Sequence, residues 1–186
     1  MKKFVKVYDN IIPSHLVDAI ENLVLNSGKF PLYYSNNLTY SKNISKKIIP
    51  GMFHTLQLND KIISPKYFSF FLQVLYGFCK KININIKEIL ASRIFVDLPT
   101  TNYGPDLPPH TDLNIPHFVC LYYINDSDGD TILFEDDGKT EIKRISPKKG
   151  RIVFFNGLIK HCGSRSKENT RAVLNIDFNG EFINTK

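Results

Sequence analysis

Between residues 89 and 178 the chain reads as six short strand-like runs: Ile89–Leu98 (ILASRIFVDL), Phe118–Ile124 (FVCLYYI), Thr131–Phe134 (TILF), Glu141–Ile145 (EIKRI), Arg151–Phe155 (RIVFF) and Arg171–Phe178 (RAVLNIDF). β-Branched and aromatic residues fill the runs, while Gly, Pro, Asn and Asp fill the joints. Regular short strands with turn signals between them predict an all-β sandwich or barrel. The preceding half differs. Val5–Tyr8 reads as a strand. Pro13-Ser14 opens a helix, with Ser14 as cap, Leu16, Ala19, Ile20, Leu23 and Val24 on one face, and Gly28 as the stop. Phe30–Tyr34 and Met52–Leu58 read as strands. Ser64-Pro65 opens a second helix with Phe68, Phe71, Leu72, Leu75 and Phe78 as its core face and Lys80 and Lys81 at its C-terminal end. The expected class is α+β, mainly β: a jelly-roll barrel with N-terminal helices packed outside. One domain is expected over 1–186, with 1–88 as a supporting region and 89–180 as the core.

Composition limits the function classes. The chain has 186 residues, 42% hydrophobic and 23% charged, which suits one globular domain. No apolar run spans a bilayer, and the basic start Met1–Lys6 lacks a following apolar stretch; a cytoplasmic protein without a membrane partner is expected. Asn37-Leu38-Thr39 and Asn43-Ile44-Ser45 are then surface loop text. Cys79, Cys120 and Cys162 match no zinc or redox spacing, and Cys79 and Cys120 sit in apolar runs as buried thiols. The net charge of +6 admits a polyanionic partner. The lysines cluster only mildly, at Lys42, Lys46 and Lys47, with no aromatic-interleaved basic stripe, so nucleic acid is admitted but not favoured.

The chemistry lies in three residues. His110-Thr111-Asp112 is a His-x-Asp pair, and His161 follows 49 residues after Asp112. On extended chain the i, i+2 spacing turns both side chains to one side, and a distant histidine completes a two-His, one-carboxylate face suited to Fe(II). Neither the pair nor the histidine is specific alone. Arg171, ten residues past His161, opens the last long run. An arginine inside a β core is costly unless a carboxylate meets its planar fork; at a strand start it can also point to water. If Arg171 points inward, period two takes Val173, Asn175 and Asp177 inward too. His117 reads as a loop or strand-entry residue rather than a spare ligand.

The segment His110–Phe178 resembles the 2-oxoglutarate/Fe(II) dioxygenases, and within them the prolyl 4-hydroxylase-like branch. His110-Thr111-Asp112 is similar to the family's first two ligands, and Val119–Asp126 to the strand after them. Gly129–Phe134 resembles its Gly-Gly-x-Thr turn and strand, with Asp130 in place of the second Gly. Pro147–Phe155 resembles the stretch leading to the distal histidine. His161-Cys162-Gly163 and Thr170-Arg171 fall where the third ligand and the co-substrate arginine belong. Thr100–Pro109 is Pro-rich and departs from the pattern.

The resemblance implies a double-stranded β-helix (cupin-like) barrel. It implies Fe(II) on His110, Asp112 and His161, with 2-oxoglutarate and O2 as co-substrates and ascorbate as a compatible reductant. Arg171 would hold the far carboxylate of 2-oxoglutarate, assisted by Tyr123, with Thr131 lining that pocket; Tyr123 as a packed barrel aromatic is the alternative. The implied reaction hydroxylates an unactivated C–H bond and releases succinate and CO2. A small molecule, an amino acid, or a peptide or protein, with a prolyl residue among the options, is the expected substrate. Tyr103, Asn175 and Asp177 are its expected pocket residues, and Thr100–Pro109 and Asn156–Lys160 the candidate covering loops. Open alternatives are a nucleic-acid demethylase of the same superfamily, a non-catalytic module binding 2-oxoglutarate or metal, and a structural jelly roll. The additional arginine pattern of the demethylases is not found after Arg165 and Arg171.

Overall fold

The computed structural model describes residues 3–36, 38, 50–100 and 108–183. The Lys42–Lys47 cluster, Asn37, Asn43 and Tyr103 lie outside the described residues, as does most of Thr100–Pro109.

Three strands explain the architecture. They are β6 (Phe118–Tyr123), β9 (Ile152–Asn156) and β11 (Arg171–Phe182), and their runs are apolar without alternation because both faces are covered. Phe118, Cys120, Tyr122, Ile152, Phe154, Leu174, Ile176 and Phe178 face one core. Val119, Leu121, Tyr123, Val153, Phe155 and Val173 face the other. The first core is closed by helix α1 (Ser14–Glu21) and helix α2 (Pro65–Lys81), through Ile20, Phe71, Leu75 and Phe78. The second is closed by β7 (Thr131–Phe134) and β8 (Glu141–Ile145), through Leu133 and Ile145. Fully buried aromatics such as Phe78 and Phe154 each represent about 3–5 kcal/mol against truncation to alanine.

The remaining strands complete two antiparallel sheets. β1 (Val5–Tyr8) pairs with β9; β2 (Tyr33–Ser35), β3 (Gly51–Leu58) and β5 (Ile84–Asp97) extend the other side, and β4 (Lys61–Ile62) pairs with β3. The large sheet runs β1-β9-β6-β11-β5-β3-β2, and the small one β10-β7-β8, with β10 at Lys160–Gly163. The result is the expected jelly-roll architecture with the helices outside. Residues from the first half join the large sheet at both ends, and the boundary expected near residue 88 falls inside β5. Among the described residues no helix is long and apolar enough to cross a membrane. Cys79, Cys120 and Cys162 are buried and not joined in disulfides, and burial pushes the Cys79 thiol up to about 12.

Several local expectations change. Ser14 is the first helical residue rather than the cap; Pro13 holds that position and no side chain caps the turn. Val17, not Ala19, fills the buried face of α1, packing under Gly150. The helix continues as a π-helical turn, Asn22–Asn26, before stopping at Gly28 with φ +62°. Phe30 is not in a strand: it plugs the core against His54 and Phe71, with ring centroids 4.7 and 5.6 Å away. An aromatic plug and a strand residue look alike in sequence. β10, four residues of sequence KHCG, is too short and too polar to be legible as a strand from sequence.

Candidate functional site

His110 and His161 come together because the backbone joins them. His110 stands outside any regular strand but forms an isolated antiparallel bridge to His161 in β10. Its amide donates to the His161 carbonyl at 3.0 Å, and the His161 amide returns the bond at 2.8 Å. Asp112, two residues on, turns its carboxylate between the rings: Oδ2 is 3.3 Å from His161 Nε2, and Oδ1 is 3.9 Å from His110 Nε2. The three ligand atoms lie within 4.8 Å of one another.

Both rings are oriented from behind. Nδ1 of His110 lies 3.0 Å from the Pro108 carbonyl, and Nδ1 of His161 lies 3.1 Å from that of Ile159. A carbonyl only accepts, so each neutral ring carries its proton on Nδ1 and turns an Nε2 lone pair toward Asp112. Burial alone would raise the Asp112 carboxyl, but His161, His110 and the Asn175 amide together hold it well below the ordinary carboxylate range. Burial would likewise lower His161, yet Asp112 raises it overall. Burial and the neighbouring His161 lower His110. A proton shared between Asp112 and His161 is the charge that a divalent cation replaces.

Period two along β11 holds as expected: Arg171, Val173, Asn175 and Asp177 lie opposite the core face carrying Ala172, Leu174, Ile176 and Phe178. Asn175 donates to Asp112 Oδ2 at 3.2 Å and lines the cavity. Asp177, expected in the substrate pocket, is buried behind it instead. It is reached by Asn175 Nδ2 at 3.5 Å, its Oδ1 is 3.8 Å from His117 Nε2, and it does not line the cavity. Burial and the Asp112 charge raise its carboxyl well above the usual range. His117 stands just before β6 with its ring over Gly157, where a Cβ would lie 2.1 Å from Nε2; it is not one of the converging three.

Arg171 is 5% exposed, and its place is prepared. Nε donates to the Gly129 carbonyl at 2.8 Å, and Nη2 to Thr131 Oγ1 at 2.9 Å. Tyr123 reaches it only at second hand, donating to the same Thr131 oxygen at 2.6 Å, with the guanidinium carbon 5.9 Å from its ring centre. Gly129 and Gly163 allow the guanidinium through: a Cβ at either would press on Arg171, at 2.8 Å from Cδ and 3.3 Å from Cζ.

A cavity of about 610 Å³ joins the two ends, taking in the triad at one side and Thr131 and Arg171 at the other, with Phe95, Leu121 and Val173 as apolar wall. Sequence reading missed Arg93 and Asp97 and placed Lys160 only within a covering loop; all three line the cavity. A signal was present for the first two: Ile94 and Val96 fill the outer core, so Arg93, Phe95 and Asp97 face inward by alternation. Of the two expected covering loops, Asn156–Lys160 contributes only its last residue to the cavity wall.

No family model matches the sequence, and no curated protein matches it. Solved structures do match its fold. An oxidoreductase of the 2-oxoglutarate-Fe(II) oxygenase family from Burkholderia pseudomallei superposes with a TM-score of 0.70 at 12% identity, over 94% of this chain and 84% of that one. A Pseudomonas putida prolyl-4-hydroxylase gives 0.61 at 13% identity, over 96% and 94%. A Trichoplax adhaerens prolyl hydroxylase, solved with a hypoxia-inducible-factor oxygen-degradation-domain peptide, gives 0.62 at 16% identity, over 94% and 82%. The fold is the jelly roll that these oxygenases share.

Proposed function

We propose that this chain is an Fe(II)- and 2-oxoglutarate-dependent dioxygenase that hydroxylates an unactivated C–H bond of an amino-acid or peptide substrate, a prolyl residue first among them. One observation carries the reading: the His110–Asp112–His161 triad and the buried fork of Arg171 open into one cavity. Two imidazoles whose Nε2 atoms face the Asp112 carboxylate form with it a donor set that fits Fe(II) and leaves positions for small ligands. When bound, Fe(II) would activate O2, with 2-oxoglutarate supplying two electrons and leaving as succinate and CO2.

The chain's own residues bind, orient and exclude water. The Pro108 and Ile159 carbonyls fix the two rings, and Asn175 fixes the carboxylate. Arg171, set by Gly129 and Thr131, presents its fork to the far carboxylate of 2-oxoglutarate. Phe95, Leu121 and Val173 keep the wall between the two ends apolar. The peptide and prolyl part of the reading is supported by the shared fold with two prolyl hydroxylases and by the sequence resemblance of the His110–Phe178 segment.

Anaerobic titration with Fe(II) and then 2-oxoglutarate tests the co-substrate chemistry through the visible charge-transfer band of the chelate. The wild type should show the band, Arg171→Ala should need more 2-oxoglutarate to reach it, and His161→Ala should lack it. No band in the wild type overturns the reading. Proline-containing peptides, free amino acids and methylated oligonucleotides, screened for succinate release matched by one oxygen gained, then decide the substrate class.

A further inference from the structure

Asp97, the last residue of β5, pairs in register with Arg171. It is 7% exposed and lines the cavity. Its Oδ2 is 3.5 Å from Arg171 Nη1, and its Oδ1 has no hydrogen-bond partner among the described residues. The other described groups that hold Arg171 are neutral acceptors, so among the described residues lining the cavity Asp97 is the acid at this end. Arg165 adds a second positive charge from the connection after β10. From β3 the neighbour is Gly51, which has no group to titrate, and Arg93 lies further along β5 on the same cavity.

A dicarboxylate whose far end takes Arg171 brings a second carboxylate to that guanidinium. Two carboxylates in one buried site do not both stay ionised; sharing a proton is the lower-energy arrangement. We propose that Asp97 is a binding residue of the co-substrate subsite, which takes up one proton as 2-oxoglutarate docks and donates it in a hydrogen bond to the far carboxylate. The proposal rests on the reading of Arg171 as the co-substrate anchor. Burial already raises the Asp97 carboxyl against the pull of Arg171 and Arg165, which is the direction the proposal requires.

The test is calorimetric titration of the anaerobic Fe(II)-loaded protein at pH 8, in two buffers of different ionisation enthalpy. 2-Oxoglutarate is compared with 2-oxobutanoate, which chelates but lacks the far carboxylate. The wild type should take up about one proton per 2-oxoglutarate and none with 2-oxobutanoate, and the Kd for 2-oxoglutarate should rise about tenfold per pH unit above the Asp97 pKa. Asp97→Asn should take up none and show a flat Kd. A charge-transfer band with no proton uptake in the wild type, or uptake undiminished in a folded Asp97→Asn protein, overturns the proposal and leaves the oxygenase reading standing. No 2-oxoglutarate binding in the wild type removes both. The comparison of the two oxo acids needs no variant, so it holds even if Asp97→Asn fails to fold.

Discussion

His110 and His161, 51 residues apart in sequence, exchange both of their backbone hydrogen bonds, at 3.0 and 2.8 Å. The two histidines are thus brought together by main chain, which leaves their Nε2 atoms for another purpose. His161→Ala should therefore keep the fold, with a stability loss of about 1–3 kcal/mol for a mostly buried ring, while metal affinity falls at least about a hundredfold. Far-UV circular dichroism with a metal titration separates the two. Unfolding of the variant, or unchanged affinity, contradicts this account.

Asn175 Nδ2 donates to Asp112 Oδ2, so the amide sets the carboxylate's rotation without being a ligand. Asn175→Ala should weaken metal binding by about 10–100-fold, the usual range for a partner that orients a ligand. Asn175→Ser, which keeps a donor, should recover part of the loss. Competition with a chelating dye measures both variants.

These two cases show what the sequence carried. His110, Asp112 and His161 were legible because spacing and residue type encode a donor set, and Asn175 because β11 keeps strict period two. Asp177 was misplaced by the same rule: alternation gives the face but not the depth, and two residues beyond Asn175 the face has passed behind the cavity. Asp97 was missed because, inside the Ile89–Leu98 run, nothing in the sequence says which residue an inward-facing acid meets. Only the β5–β11 register sets it against Arg171. Tyr123, expected to assist Arg171 at the far carboxylate or else to pack as a barrel aromatic, is linked to the arginine through Thr131.

Arg151 grips Asp9 through two bonds, Nε at 2.8 Å and Nη2 at 2.9 Å, tying the end of β1 to the start of β9. The Arg151 hydrogen bond lowers the Asp9 carboxyl from its ordinary 3.8. A depressed acid adds stability above its unfolded pKa and loses it as pH falls through the folded value. Asp9→Asn should thus be less stable than wild type at pH 6, by about 0.5 kcal/mol once solvent screening of this partly exposed pair is allowed for. The difference should shrink as pH drops below about 3.8. Urea unfolding across pH 3–6 measures it, and a difference that stays constant contradicts the assignment.

Gly129 offers the sharpest separation of stability from binding. A Cβ there would lie 2.8 Å from Arg171 Cδ and 3.0 Å from the Ser164 carbonyl oxygen. The backbone oxygen moves little, so the arginine stem must shift, and the guanidinium with it. Gly129→Ala should cost about 1–3 kcal/mol from overpacking and also raise the 2-oxoglutarate Kd about tenfold, the effect of about 1.4 kcal/mol. Gly28→Ala is the control: its φ of +62° strains any side chain, but nothing lies within 4 Å of the new Cβ, so it should lose about 1–2 kcal/mol with an unchanged Kd. If Gly129→Ala lost stability yet bound 2-oxoglutarate like wild type, Arg171 would not be the residue that holds it.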